Sequence, residues 1–379
     1  METLAALLAA TSICALAALR PLPASGFRPN ALLPSVPVAV REEPYYRHEL
    51  LPVGGHATVH VPSLAQLPDG RLAAAWYAGS KECAPDVAIF LSTQRRIPPE
   101  GWTTPRAVVT PRPPSAELGR HVRSAGNAVL ASDLRGRLWL VYVTIPFGGW
   151  SVSSLNVKVS DDQGETWSQS RRLTVSPFFN LSTLVKNKPL LLADGGLALP
   201  VSHELLTKSA QLLWLDGRPE SGPGLRLSSI GGAGTYLQPA VLALGERRAL
   251  ALLRSKRGWV GRSTSLDAGS TWSTPEPSDL PNPDSGLDAL LLSSGKVLMA
   301  GNSGDPSRSA LILATSSDLG RTWKRVATLE DDASGTFSYP FLLRARDGGI
   351  HLLYSYRGRG IRHAVFNEAW LESQPAGGR

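Results

Sequence analysis

Polar residues of several chemical types flank the short hydrophobic runs of this sequence, and they could carry out acid–base chemistry or bind an anion. Histidine, glutamate and tyrosine side chains can move protons, and arginine can hold a carboxylate through two parallel hydrogen bonds. Each residue alone is more often structural, but their recurrence beside equivalent runs favours one shared site. The candidates are His60, Asn127, Lys186, Asn187, His203, Glu204, Gln238, Arg254, Asn282, Asp284, Asp288, Arg308, Tyr339, Tyr354 and Arg357.

Other kinds of site have little support in the sequence. No spacing of His or Cys suits a metal ion, so the sequence predicts no metal and no other cofactor. The 39 Lys and Arg against 31 Asp and Glu give a net charge of +8, which suits an acidic partner or simply aids solubility. No basic block or basic–aromatic surface indicates nucleic acid. The charge alone therefore leaves acidic glycans, lipopolysaccharide and general solubility open.

The elements that would position these residues form an internal repeat. Each copy is a hydrophobic strand, a turn and a second hydrophobic strand, and the turns lie about 50 to 65 residues apart. This period is typical of β-propeller blades, which must stack because none can bury both faces alone. The sequence thus predicts an all-β, six-bladed β-propeller whose inner strands converge on one mouth of a central channel. The six copies are residues 62–76, 127–143, 188–202, 238–254, 287–302 and 339–355.

A second pattern, S-x-D-x-G-x-T-W, occurs at residues 160–167, 265–272 and 316–323. Asp and Gly suit a tight hairpin turn. The Ser and Thr hydroxyls can bond to the turn backbone, and the Trp can fill the gap between neighbouring sheets. We therefore expect these segments to cap hairpins in blades two, four and five, away from any chemistry.

The eight-residue pattern resembles the Asp-box of sialidases and related proteins with BNR repeats, and the resemblance extends over about residues 50–370. It implies a sialidase-like propeller that hydrolyses the glycosidic bond of an acidic sugar, with an acidic glycan or glycoconjugate as its partner. Tyr339 precedes a strand, a D-G turn and a second strand that ends in Tyr354, and it takes the place of the sialidase nucleophile. Arg254 and Arg308 stand where sialidases have arginines that bind the substrate carboxylate.

The sequence departs from the sialidase pattern at several positions. The string HVP at residues 60–62 matches the first-blade Arg-Ile-Pro, so His60 replaces one arginine. Gln238 matches the Glu that activates the tyrosine, and an amide cannot remove a proton. Glu204 is the candidate to replace that base. The acid/base Asp is best matched by Glu82, with Asp86 close by.

The resemblance and the strand positions together give a predicted site. The predicted catalytic residues are Tyr339, Glu82, Asp86, Glu204 and His60. The predicted substrate-binding residues are Arg254, Arg308, Gln238, Asn127, Lys186, Asn187, Asn282, Asp288 and Arg357.

Three functions remain open on the sequence. The first is a sialidase-like exo-glycoside hydrolase, in which Glu82 or Asp86 protonates the leaving oxygen and Tyr339 attacks or stabilises the sugar cation. The second is a polysaccharide lyase with His60 or His203 as base and Tyr339 as acid. The third is a non-catalytic glycan-binding propeller, which the Gln at position 238 favours.

The chain divides into three predicted parts. Residues 4–19 are apolar apart from Thr11, Ser12 and Cys14 and are too short for a comfortable membrane span, so residues 1–19 predict a signal peptide or an N-terminal membrane anchor. Residues 20–41 are rich in proline and predict a linker, and residues 42–372 predict the propeller. We expect a monomer that is exported, whether periplasmic, secreted or membrane-tethered. Residues 45–50 are expected to close the ring by pairing with residues 361–366.

Overall fold

The computed structural model describes residues 25–28, 42–95, 101–175, 181–204, 208–215 and 226–375. The predicted signal or anchor segment and most of the predicted linker lie outside the described residues. The described chain folds into six antiparallel sheets of four or five strands. The inner strand of each sheet contacts that of a neighbour, and the last contacts the first. The predicted all-β, six-bladed β-propeller is therefore confirmed.

The first three blades follow the chain in order. Blade one contains β2 (Thr58–Gln66), β3 (Leu72–Gly79), β4 (Ala88–Thr93) and β5 (Arg106–Val109). Blade two contains β6 (Ser124–Ser132), β7 (Leu138–Ile145), β8 (Ser154–Ser160) and β9 (Arg171–Arg172). Blade three contains β10 (Thr183–Val185), β11 (Leu190–Leu191), β12 (Leu197–His203), β13 (Lys208–Leu215) and β14 (Arg226–Gly234).

The last three blades include the first strand of the chain. Blade four contains β15 (Tyr236–Ala243), β16 (Ala249–Ser255), β17 (Trp259–Ser265) and β18 (Glu276–Pro281). Blade five contains β19 (Asp288–Leu291), β20 (Val297–Asn302), β21 (Ala310–Ser316) and β22 (Lys324–Asp331). Blade six contains β23 (Phe337–Arg344), β24 (Ile350–Tyr356), β25 (Gly360–Phe366) and β1 (Tyr46–Leu50).

Helix contributes little to the fold. An α-helix at Arg112–Glu117 connects blades one and two, and a 3₁₀ turn at Trp150–Val152 precedes β8. A helix at Glu368–Ser373 ends the described chain, and the Asn367 side chain caps it by accepting a hydrogen bond from the Trp370 amide. None of the helices in the described ranges has the length and apolar character needed to cross a membrane.

The core lies between the stacked sheets. Every residue of β3 and β7 is buried, because each sheet packs against a neighbour on both faces. Trp76 and Trp139 are among the largest fully buried side chains. The predicted core role of the repeated hydrophobic residues is therefore confirmed.

The three Asp-box segments form the predicted hairpin caps. In the first, Ser160 donates a hydrogen bond to Asp162 (2.7 Å) and accepts one from the Gly164 amide (2.7 Å), while Asp162 accepts from the amide and hydroxyl of Thr166. The other two copies repeat these contacts. A Cβ added at Gly164 would lie 3.0 Å from Leu91 of blade one, so the cap packs against the preceding blade.

Four inner strands share a bulge that the sequence analysis did not recognise. In each, two residues of the inner strand lie opposite one residue of the second strand. The first of the two residues adopts the left-handed conformation, with φ between 44° and 54°. In three bulges a proline follows it, and a residue without an N–H suits a position outside the hydrogen-bond ladder. The four bulges are Val61-Pro62, Asn127-Ala128, Gln238-Pro239 and Tyr339-Pro340.

Strand β1 closes the ring as expected. Its residues pair antiparallel with β25, from Tyr46 opposite Phe366 to Leu50 opposite Arg362. Blade six is thus completed by a strand from the beginning of the chain.

Deleting residues 42–50 is expected to abolish cooperative folding. The deletion removes five residue pairs of the ladder and exposes the edge of β25, which is mostly buried. Thermal unfolding followed by circular dichroism measures the effect. A truncated protein that melts at the temperature of the full chain would contradict this role of β1.

Residues 25–28 lie inside the predicted linker but contact the propeller. Phe27 is 1% exposed, and its amide donates to the Glu246 carbonyl. The Arg28 amide donates to the Leu191 carbonyl. This short segment is therefore held against blades three and four.

Candidate functional site

The side chains predicted to act together gather where the inner strands begin. His60 lies at the start of β2, Gln238 near the start of β15 and Tyr339 near the start of β23. Two bulges aim the last two residues, because Gln238 and Tyr339 are the left-handed members of their pairs. The Asp-box turns follow the opposite ends of the sheets, so the structure separates the caps from this mouth.

Tyr339 sits between a histidine and an arginine. The His60 ring meets it edge-on, with 5.0 Å between ring centroids. The guanidinium carbon of Arg308 lies 5.7 Å from the centroid of the Tyr339 ring. Three residues from blade one, blade six and the loop before β21 therefore share one small region. None of the hydrogen bonds among the described residues involves the Tyr339 hydroxyl.

Glu82 is held at the same mouth by a buried tyrosine. The Tyr77 hydroxyl donates to Glu82 Oε1 at 2.8 Å, and His60 Nε2 lies 3.9 Å from the same oxygen. Burial, followed by the nearby Glu82 and Tyr339, raises the pKa of Tyr77 well above its usual range, so its hydroxyl stays a donor. The Glu82 side chain remains 47% exposed and can reach a ligand.

Ser355 fixes the orientation of the His60 ring. The Val61 amide donates to Ser355 Oγ at 3.0 Å, and this oxygen lies 2.7 Å from His60 Nδ1. The hydroxyl hydrogen of the fully buried Ser355 has no other acceptor among the described residues, and an unsatisfied buried donor is costly. We infer that Ser355 donates to Nδ1, which leaves the proton of neutral His60 on Nε2, facing Glu82.

Arg254 and Arg308 meet at Asp284. Arg254 Nε donates to the Asp284 carboxylate at 2.8 Å, and its Nη1 donates to Gln238 Oε1 at 3.1 Å. Arg308 Nη2 donates to the Asp284 carbonyl oxygen at 3.1 Å. Asp284 thus links the two arginines predicted to bind a carboxylate. It was a candidate on its strand position alone.

Gly286 brings Gln238 and Tyr339 close together. A Cβ at position 286 would lie 3.0 Å from the Tyr339 ring and 3.1 Å from Gln238 Oε1. The absence of a side chain at this position lets the tyrosine ring and the glutamine amide oxygen both approach the space that a Cβ would fill. A carboxylate at position 238 would therefore stand near Tyr339.

Lys186 and Asn187 were predicted to bind substrate, but the structure uses their polar groups elsewhere. Lys186 Nζ donates to Asn187 Oδ1, to the Leu287 carbonyl and to the Pro340 carbonyl at 2.5 to 2.9 Å. Asn187 donates to the carbonyls of Gln238 and Pro239. Burial lowers the pKa of Lys186 to about 7. These two residues of blade three therefore tie blades four, five and six together beneath the site.

Asp288 and Asn282 also depart from their predicted role. Asp288 is fully buried, and its carboxylate accepts from Lys188 and from the Leu342 amide. Asn282 is 2% exposed and bonds to the backbone of Ser255 and Ser285. The polar groups of both side chains bond within the protein, because the side chains lie between blades rather than at the open mouth. Asn282 shapes the loop that carries Asp284.

The other predicted residues have mixed surroundings. Asp86 is exposed and accepts from the amide and hydroxyl of Ser80, so it closes the loop that carries Glu82. Glu204 lies 3.9 Å from Lys208 Nζ, and no hydrogen bond among the described residues joins it to Tyr339. Arg357 pairs with Asp332. Asn127 is 6% exposed at the left-handed position of its bulge.

Acid is expected to destabilise the protein through its buried histidines. Burial lowers the pKa of His60 to about 4, and it also lowers the pKa of His351 and His363. The unfolded chain, with a histidine pKa near 6.5, binds protons first, so stability is lost as the pH falls below that value. His60 alone accounts for about 1.4 kcal/mol per pH unit down to about pH 4. Urea unfolding at several pH values measures the slope. The His60→Gln variant should show a smaller slope, and an unchanged one would refute the assignment.

Comparison with known proteins agrees with this architecture. Residues 70–352 match the model of a family described as BNR repeat-like domain. A comparison with curated proteins finds no match.

Several solved structures are similar to this chain. A Hadza microbial sialidase has a TM-score of 0.68 at 17% identity, and the match covers 83% of this chain and 66% of that sialidase. The intramolecular trans-sialidase of Ruminococcus gnavus has a TM-score of 0.69 at 15% identity, with coverages of 86% and 98%. A protein of unknown function from Dyadobacter fermentans has a TM-score of 0.68 at 13% identity, with coverages of 85% and 99%. At these identities the likeness establishes the fold.

Proposed function

The chain belongs to the family of BNR repeat-like domains, and on this premise we propose that it is a sialidase-like exo-glycoside hydrolase acting on an acidic glycan. The observation that carries the proposal is the meeting of Tyr339, Glu82 and two arginines at one mouth of the propeller. A fold alone would not assign a reaction, since propellers host many functions.

The arginines give the site its preference for an acidic sugar. Arg254 and Arg308 are two permanent cations that lie close together, because both donate hydrogen bonds to Asp284. His60, which replaces one sialidase arginine, adds no third positive charge, because its pKa of about 4 leaves the ring neutral at physiological pH. The carboxylate of a sialic- or uronic-type sugar would be held by two arginines and by the Nε2–H of His60.

The chemical step uses a carboxylic acid and a tyrosine. Protonated Glu82 gives its proton to the glycosidic oxygen as the bond from that oxygen to the anomeric carbon breaks. Tyr339 stabilises the resulting sugar cation, and a neutral residue suits this place because a carboxylate would be repelled by the sugar's own carboxylate. Water then adds to the anomeric carbon and returns a proton to Glu82.

A polysaccharide lyase would need a base beside Tyr339. His60 is poorly suited, because its Nδ1 bonds to Ser355 and its Nε2 carries the proton. A non-catalytic glycan-binding propeller is the stronger second candidate. It is favoured by Gln238, an amide where sialidases have the base, and by the Tyr339 hydroxyl, which bonds to none of the described residues.

One assay separates the three functions. The protein is incubated with aryl glycosides of sialic and uronic acids and with uronate-containing polysaccharides. Release of the aryl group and of free acidic sugar supports the hydrolase. An unsaturated product that absorbs in the ultraviolet would indicate the lyase. Binding by calorimetry without turnover, unaffected by Glu82→Gln, would indicate the glycan-binding propeller.

A further inference from the structure

A second cleft lies on the opposite face of the propeller, between blades six and one. Its volume is about 390 Å³, which is within the range of small-ligand sites. Gln66, at the far end of β2 from His60, lines it. Gln66 is six residues further along the strand than His60, so the cleft lies roughly 20 Å from the candidate site.

A chain of hydrogen bonds leads from the partly exposed Glu49, at the edge of blade six, through two buried histidines to this cleft. Glu49 Oε1 of β1 accepts from Trp102 Nε1 at 3.2 Å and lies 3.3 Å from His363 Nδ1. His363 Nε2 lies 2.9 Å from His351 Nδ1, and the two rings stack with centroids 5.2 Å apart. His351 itself lines the cleft.

The carboxylate at one end sets the tautomer of both rings. An ionised Glu49 can only accept, so His363 must carry its proton on Nδ1. Neutral His363 then offers a lone pair on Nε2, and His351 must donate to it from Nδ1. Neutral His351 is left with a bare lone pair on Nε2. That nitrogen lies 3.4 Å from the position that a Cβ on Gly349 would take.

The remaining lining offers both donors and acceptors. Arg47 is an exposed cation at the start of β1, and Asp347 is an exposed carboxylate whose Oδ1 accepts from the Gly349 amide. Gln94 uses its Oε1 to accept from the Leu72 amide, so its NH₂ group is the part available as a donor. The two charges offset each other. The partly exposed ring of Tyr45 adds apolar surface to the wall, and Leu72 and Phe366 are buried behind it.

We propose that this cleft is a second binding site, for one ring of a neutral saccharide. Sugar hydroxyls both donate and accept, so they match His351 Nε2 and Asp347 as acceptors and Arg47 and Gln94 as donors. The apolar wall suits the C–H face of the ring. The offset charges make a neutral sugar fit better than an acidic one. The site is separate from the proposed catalytic mouth and does not depend on it.

The tautomer assignment is tested first. Long-range proton–nitrogen NMR of the histidines at pH 7.5 should show His351 and His363 protonated at Nδ1 only. A proton on Nε2 of His351 in the unaltered protein would overturn the proposal, because the cleft would then lack its acceptor.

Binding is tested with glucose, galactose, mannose and N-acetylglucosamine at millimolar concentrations. Saturation-transfer NMR should show that at least one of these sugars binds. Gly349→Ala should lower the affinity for that sugar about tenfold or more, because it places a methyl carbon 3.1 Å from Asp347 Oδ1. His351→Leu should weaken it similarly. His48→Gln is the matched control, since this histidine of β1 bonds to Tyr46 outside the cleft.

The outcomes separate this proposal from the proposed hydrolase. Sugar binding that persists in Tyr339→Phe and falls in Gly349→Ala supports the second site, whether or not any glycoside is cleaved. Binding that is lost in Tyr339→Phe but kept in Gly349→Ala would place the sugar at the catalytic mouth and overturn the second site. The absence of binding by all four sugars would overturn it as well.

Discussion

Replacing Tyr339 by Phe is expected to lower kcat on an aryl glycoside of an acidic sugar by about 10³-fold. The change removes the only oxygen of this side chain, which would face the sugar cation, and it leaves the ring in its contacts with His60 and Arg308. KM should change little, because the arginines that hold the carboxylate remain. Steady-state kinetics of the folded variant measure both constants. A loss confined to KM would contradict a role for Tyr339 in the chemical step.

Gln238→Glu provides the matched experiment. A carboxylate at this position would lie beside Tyr339 and would still bond to Arg254, which now donates to Gln238 Oε1 at 3.1 Å. It would supply the missing base. Gln238→Glu should therefore raise kcat when Tyr339 is present and leave kcat unchanged when Tyr339 is replaced by Phe. An equal gain in both backgrounds would show that the two residues act independently.

Glu82→Gln is expected to lower kcat/KM nearly as much as Tyr339→Phe lowers kcat, but only for substrates whose leaving group needs a proton. Loss of a general acid costs about 10²- to 10⁴-fold. Glycans with an alcohol leaving group should show that full loss, whereas an aryl glycoside with an acidic phenol should lose tenfold or less. The measurement is kcat/KM for both substrates with the same enzyme preparations.

Asp86→Asn is the control for Glu82, because this neighbouring carboxylate bonds to Ser80 within the same loop. It should affect both substrates alike. Equal loss on both substrates in Glu82→Gln would exclude Glu82 as the acid.

The fold was accessible from the sequence because its signals are local and repeated. The Asp-box strings specify a turn through hydroxyl and carboxylate contacts within eight residues, and the structure reproduces those contacts three times. The strand–turn–strand copies likewise predicted six sheets, and residues 45–50 were expected to close the ring by pairing with residues 361–366, as they do. The short segment around Phe27 was missed, because a single buried aromatic in a proline-rich stretch has no periodicity.

The site was less accessible because it depends on contacts between blades. Strand position placed Lys186, Asn282 and Asp288 near the axis of the propeller. It could not show that neighbouring backbone buries these side chains instead of leaving them open to a ligand. Ser355 and Tyr77 were missed because serines and tyrosines in strands are common. A signal for the arrangement does exist, since a polar or aromatic residue followed by proline marks two of the inner-strand bulges.

The pairing of β1 with β25 also constrains how the protein is made. Residues 46–50 leave the ribosome before all the other strands of the six blades, and their partner, residues 360–366, is the last of these strands to be synthesised. Blade six therefore cannot be completed until β25 has been synthesised. During that interval the nascent chain holds one unpaired strand and an unclosed stack, which chaperones would have to shield. A premature stop codon before residue 360 would leave both open permanently, so even a late truncation should behave as a complete loss of the protein.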